Sequence, residues 1–147
     1  MKYPYLPKSN QKLKLGEYWS IVLENGKHAF FVFLDIPKDS DRRSVLIGLV
    51  DYVSSSPVLP DSSYEILWQG VVHIKSVNEC GGLVQGKIEA LSPVLELCSH
   101  GGVHCRVLSG FDTLRMATPE DIEYLGVRRV CGFKVPQTMA NKLLGGS

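Results

Sequence analysis

The residue types best suited to chemistry cluster in one run, Cys98-Ser99-His100-Gly101-Gly102-Val103-His104-Cys105. Two cysteines and two histidines in eight residues are the donors that zinc takes. A hairpin turning on Gly101-Gly102 argues against a metal. It sets Cys98 opposite Cys105, with His100 on their face and His104 on the other. Three donors then converge, and no second cysteine pair elsewhere completes a four-ligand shell. The same register sets the two sulfurs side by side. Their Cα atoms would lie about 5.5 Å apart as a hydrogen-bonded pair, within reach of a disulfide after oxidation. Cys80 and Cys131 complete a set of four cysteines. A chain of this length needs no disulfides, and cytosolic thiols stay reduced. All four are therefore read as free thiols, and no metal is expected.

Other catalytic signatures are missing. There is no Gly-x-Ser-x-Gly elbow, no Walker phosphate loop of the form Gly-x-x-x-x-Gly-Lys-Ser/Thr and no His-Glu-x-x-His helix. The glycine pairs at 81–82, 101–102 and 145–146 follow turn spacing. His28 and His73 lie inside apolar strands, where packed histidines are the ordinary case. The expectation is no catalytic residue, no cofactor and no small-molecule substrate. The alternatives are a small hydrolase-like enzyme built on Cys98, His100, His104 and Cys105, or an adaptor domain.

Composition narrows the classes further. The chain has 147 residues, 44% hydrophobic and 21% charged, which suits one globular domain with a real core. Sixteen Lys and Arg against fifteen Asp and Glu leave a net charge of +1. The two signs are mixed along the chain. Nucleic-acid binding rests on neutralising phosphates and needs a basic excess, so it is not expected. No stretch approaches the ~20 apolar residues of a membrane span. The start, Met1-Lys2-Tyr3-Pro4-Tyr5-Leu6-Pro7, lacks the apolar core of a signal peptide. The expected location is the cytoplasm.

The elements that must position any site read as follows. Residues 1–15 form an extended, polar lead-in to a single domain. Glu17 to Glu24 is a strand, Asn25-Gly26 a two-residue turn and Lys27 to Leu34 the return. That register pairs Glu24 with Lys27 and sets Trp19, Ile21 and Leu23 against Val32, Phe30 and His28. Phe31 and Phe33 then share the opposite face with Ser20 and Tyr18. A return strand apolar on both faces belongs in the middle of a sheet. Ser44 to Val53 is a third strand. Tyr64 to Ile74 is a fourth, bent or bulged at Gly70. Leu83 to Ala90 is another, and Val94 to Leu108 is a second hairpin. Thr118, Pro119 and Asp121 mark the start of a helix running to residue 125, with Gly126 as its stop. A last helix spans Gln137 to Leu144. Strands first and helices late give an α+β fold, mostly antiparallel sheet with two short C-terminal helices.

Two connections are long for a β scaffold, and long ordered loops are disproportionately functional. Residues 35–43 present Asp39, Asp41, Arg42 and Arg43. Residues 54–63 present Asp61. With Trp68, an aromatic that could face a partner, these are the candidate partner-binding residues.

The run Gly16-Glu17-Tyr18-Trp19-Ser20-Ile21-Val22-Leu23-Glu24-Asn25-Gly26-Lys27-His28-Ala29-Phe30 resembles the opening hairpin of the immunity protein 26 family. That family begins with a Gly-acidic pair, an aromatic, an apolar strand, a short turn and an aromatic-rich return. Ile74-Lys75-Ser76-Val77 through Gly86-Lys87-Ile88 is similar to a later polar turn leading into a glycine-containing strand. The resemblance covers the first 90 residues or so. It implies a bacterial protein that neutralises a polymorphic toxin by stoichiometric binding over its active site or target-docking surface. No catalytic residue comes with it, and the expected partner is a cognate toxin domain. A net charge of +1 is not the acidic surface suited to steering onto a strongly basic nuclease, so a toxin of another kind is expected.

Overall fold

A computed structural model describes residues 3–98 and 105–145. The described chain is mixed α and β, mostly antiparallel sheet, with nine strands and three short helices.

The main sheet grows from the first hairpin. Strand β1 (Glu17–Val22) pairs antiparallel with β2 (His28–Asp35), and β2 pairs with β3 (Ser44–Ser54). Strand β4 (Ile66–His73) adds to β3, and β5 (Val84–Lys87) adds to the free side of β1. A two-residue strand, β9 (Val130–Cys131), pairs parallel with β4, giving the order β5-β1-β2-β3-β4-β9. Strand β2 is central, as its two apolar faces require, and Ala29 through Leu34 are all buried.

The hairpin register differs from the sequence expectation by one residue. The turn holds three residues, not two. Leu23 N donates to Lys27 O at 2.7 Å, and Gly26 N donates to Leu23 O at 2.9 Å. Gly26 takes φ +85°, the left-handed position of a three-residue loop. Asn25 Oδ1 accepts from Lys27 N at 3.0 Å and steadies it. Glu24 therefore lies in the turn and is not opposite Lys27. A one-residue slip exchanges faces. Trp19 meets Phe31 and Ile21 meets Ala29, while Tyr18 meets Val32 and Ser20 meets Phe30.

That register sorts the aromatics into two cores. On one face Trp19 stacks on Phe31 at 5.0 Å between centroids, with Phe33, Ile47 and Leu49 around them. Helices α1 (Lys75–Cys80) and α3 (Val135–Leu144) cover this face through Val77 and Ala140. On the other face Tyr18, Phe30, Val32 and Val50 pack under Leu59 and Ile88. The lead-in is part of the body. Tyr5 bridges to Val84, Asn10 is buried and Leu13 joins the first core.

Helix α1 stands where a turn is expected. Its N-cap, Ile74, makes no side-chain cap bond, and the helix is held by burying Ser76, Val77 and Cys80. The irregularity of β4 falls at Leu67, between the pairs Leu49–Trp68 and Val50–Ile66, and not at Gly70.

A smaller sheet follows. Strands β6 (Glu96–Leu97), β7 (Arg106–Ser109) and β8 (Asp112–Met116) lie in that order, all antiparallel. Helix α2 (Pro119–Tyr124) comes next, with Thr118 and Asp121 forming the expected capping box. Residues after α2 return along β6. Leu97 N donates to Gly126 O and Arg128 N to Leu97 O, both at 2.8 Å. Two joints fix this unit to the main sheet. Asp35 Oδ2 accepts from Phe111 N at 2.7 Å, and the Gln69 side chain pairs with both backbone groups of Val94.

Candidate functional site

Four of the residues singled out as partner-binding share one loop, 36–43, and two of them build it. Asp39 Oδ1 accepts from Asp41 N at 2.9 Å. Asp41 Oδ1 accepts from Arg43 N at 2.8 Å and from Ser44 N at 3.0 Å. The bond from Arg43 N, followed by those from Ser44, holds the Asp41 carboxyl below its ordinary value. Asn10 grips the same loop, donating to Asp41 O and Ser44 O. Both aspartates are thus turn-forming groups, while the Arg42 and Arg43 side chains stay exposed.

Asp61 and Trp68 serve other parts of the fold. Asp61 Oδ1 accepts from Glu89 N at 3.0 Å and ties loop 55–65 to the segment after β5. Trp68 is half-buried, edge-on to Phe31 at 6.3 Å. Its ring lies over Gly70, where a Cβ would come within 2.9 Å of it. Trp68 therefore packs against the first core.

Large exposed apolar side chains stand on β8, on α2 and on the segment after it. Strand β8 buries none of its five residues and α2 none of its six. Both carry large apolar side chains into solvent. Leu114 is 52% exposed, Tyr124 73% and Val130 82%, with Met116, Ile122 and Val127 also exposed. Beneath them a small core of Leu97, Cys105 and Val107 is shared with Ala117 and Leu125.

Polar contacts fix the geometry of this surface. Arg115 donates to Asp121 at 2.8 Å, joining β8 to α2. Lys38 reaches Asp112 at 3.1 Å, which places the charged loop 36–43 beside the start of β8. Arg128 is the internal fastening. Its Nε meets Glu96 Oε1 at 2.6 Å, and both side chains are buried. Its Nη2 donates to Gly110 O at 2.6 Å, and its guanidinium lies 5.8 Å from the centre of the Phe111 ring.

Comparison with family models, curated proteins and solved structures gives no match.

The structure offers two further clusters. Glu17 is fully buried. Its carboxylate accepts from Tyr5 OH at 2.7 Å, Tyr3 OH at 2.9 Å and Lys14 N at 2.6 Å. Burial and the hydrogen bond to Glu17 push the Tyr3 hydroxyl up to about 12, and raise Tyr5 further for the same reasons. This cluster fastens the lead-in to β1.

Cys98 and Cys105 hold their sulfurs 3.5 Å apart. Cys98 is not directly opposite Cys105, since its N–H donates to Arg106 O at 2.9 Å. His100, His104 and the Gly101-Gly102 turn lie outside the described residues. Among the described residues no group of three or more His, Cys, Asp or Glu is arranged to hold a metal. His73 Nδ1 accepts from Lys75 N at 3.0 Å at the start of α1. Burial, then the charges of Arg43 and Lys75, lower its pKa. Among the described residues no helix is long and apolar enough to cross a membrane.

Proposed function

We propose that this protein is an immunity protein. It binds a cognate bacterial toxin domain in the cytoplasm and covers the toxin's active site or its target-docking surface. One observation carries the reading: β8 and α2 bury none of their residues yet present Leu114, Met116, Ile122 and Tyr124. Holding large apolar side chains in water carries a cost that docking removes. Exposed aromatic and aliphatic anchors with a charged rim are the anatomy of a protein interface.

The rim is at hand. Arg42 and Arg43 project from the loop that Lys38 and Asp112 place next to β8. The hairpin resemblance to the immunity protein 26 family supports the same reading. The rigid β framework also suits it, because a preformed interface loses less entropy on binding.

The experiment is co-purification with a toxin domain encoded beside this gene, together with a growth-protection assay. A one-to-one complex and protection are expected. Tyr124→Ala should weaken the complex by about tenfold or more, the usual cost of truncating an aromatic anchor. Ile122→Asp should abolish protection while the variant remains folded. A protein that fails to protect against the adjacent toxin, or a Tyr124→Ala, Ile122→Asp double variant that binds as wild type, overturns the proposal.

A further inference from the structure

We propose that Cys98 and Cys105 form a reversible intramolecular disulfide by exchange with a small-molecule aliphatic disulfide. The sulfurs lie 3.5 Å apart in the reduced protein. A disulfide needs about 2.05 Å, so roughly 1.5 Å of approach closes the bond.

The two thiols have distinct environments that set the order of events. Cys98 is half-buried, and its sulfur accepts a hydrogen bond from Arg106 N at 3.4 Å. That N–H favours the thiolate, the form that attacks disulfides. Cys105 is buried, 1% exposed. Burial, followed by the hydrogen bond to Cys98, pushes its thiol up. Cys98 is therefore the attacking group and Cys105 the resolving one.

The steps balance. Cys98 loses its proton to solvent and attacks one sulfur of the small disulfide. A mixed disulfide forms on Cys98, and one small thiolate leaves. Cys105 then gives up its proton and attacks the Cys98 sulfur, expelling the second small thiolate. Two protein thiols are oxidised, and one small disulfide is reduced to two thiols.

The bond would act on the unit that carries the exposed apolar face. Cys98 continues β6, and its N–H pairs with Arg106 O. Cys105 precedes β7, and its carbonyl accepts from Ala117 N at 2.8 Å, one residue before the cap of α2. The bridge links the end of β6 to the start of β7, and through Ala117 to the entry of α2. Oxidation should slow local opening there. This consequence does not depend on the identity of any partner.

The test uses the full chain in glutathione buffers running from reduced to fully oxidised. Free thiols are then alkylated, and the protein is mapped by peptide mass spectrometry. Cys98 and Cys105 should escape alkylation together, as one intrachain bridge, while Cys80 and Cys131 remain alkylated. Dithiothreitol should restore both. Hydrogen exchange at the Cys98 and Ala117 amides should slow several-fold on oxidation. Cys105→Ser should instead retain glutathione on Cys98, and Cys98→Ser should show no change in exchange. A persistent mixed disulfide in the wild type overturns the proposal. So does a bridge that recruits Cys80 or Cys131, or disulfide-linked dimers in place of the intrachain bond.

Discussion

Removing the Arg128 guanidinium tests the internal fastening of the small sheet that carries the exposed apolar side chains. In Arg128→Ala the Glu96 carboxylate stays buried with its cation gone. Gly110 O loses its donor, and the Phe111 ring loses its cation. Breaking a buried pair by deleting one partner costs about 3–5 kcal/mol. An unsatisfied buried carbonyl alone costs about 1–3 kcal/mol, so that figure contains the Gly110 loss and does not add to it. Against a typical stability of about 5–15 kcal/mol, the variant should be conspicuously less stable.

The control is to remove both charges. Glu96→Leu with Arg128→Met substitutes apolar groups for both, and exchanges of this kind are often neutral or stabilising. The double variant should retain only the loss of the Gly110 O donor, about 1–3 kcal/mol, well short of the sum of the single costs. Urea unfolding followed by circular dichroism supplies the energies. Repeating it at low salt and at about 0.5 M salt separates a shielded pair from a surface one, because buried charges are little screened. An Arg128→Ala cost below about 1 kcal/mol that shrinks further with salt would mean the pair behaves as a solvated surface bridge. The fastening role would then be wrong.

Four smaller expectations accompany it. The Tyr3 and Tyr5 hydroxyls are raised above 10, so their contribution is complete below pH 10 and is lost as pH rises through the folded values, about 12 for Tyr3. Alkaline denaturation should flatten in the Tyr3→Phe, Tyr5→Phe double variant; an unchanged pH slope would refute the Glu17 cluster. His73 is lowered below 6.5, so its contribution is present above pH 6.5 and is lost as pH falls through the lower folded value. His73→Gln should therefore flatten the acid side of the stability profile, measured as Tm against pH. Thr118→Ala deletes the cap of α2 and should cost about 1 kcal/mol in chemical unfolding, with no change at all as the contrary result. Lys38→Ala removes a pair whose side chains are both more than half exposed, and should leave Tm unchanged while altering the salt dependence of partner association.

The parts of this fold that announced themselves were those with local chemistry. The Thr118-Pro119-Asp121 start specified α2 because the cap satisfies its own backbone donors within four residues. Asn25-Gly26 specified a hairpin, yet misplaced its register. Asn-Gly suits a two-residue turn and also a three-residue turn with glycine in the left-handed position. The choice fell to burial. The observed register puts Trp19, Phe31 and Phe33 together under α1 and α3, whereas the other would have divided them between faces.

What stayed hidden has no local signal. Helix α1 has no side-chain cap and only six residues, and a helix that short is held by packing rather than by propensity. In Asp112-Thr113-Leu114-Arg115-Met116 only the last four residues alternate, too short a run to mark a strand, and none of β8 is buried against an inward face. The same lack of burial makes β8 and α2 candidates for docking. Alternation and helical periodicity record which side chains face the protein's own core. A surface kept for another molecule leaves no such record in the chain that carries it. Asp39, Asp41 and Asp61 stood out in the sequence because turns need them. Leu114, Ile122 and Tyr124 did not, because they face solvent and no core of this chain records them.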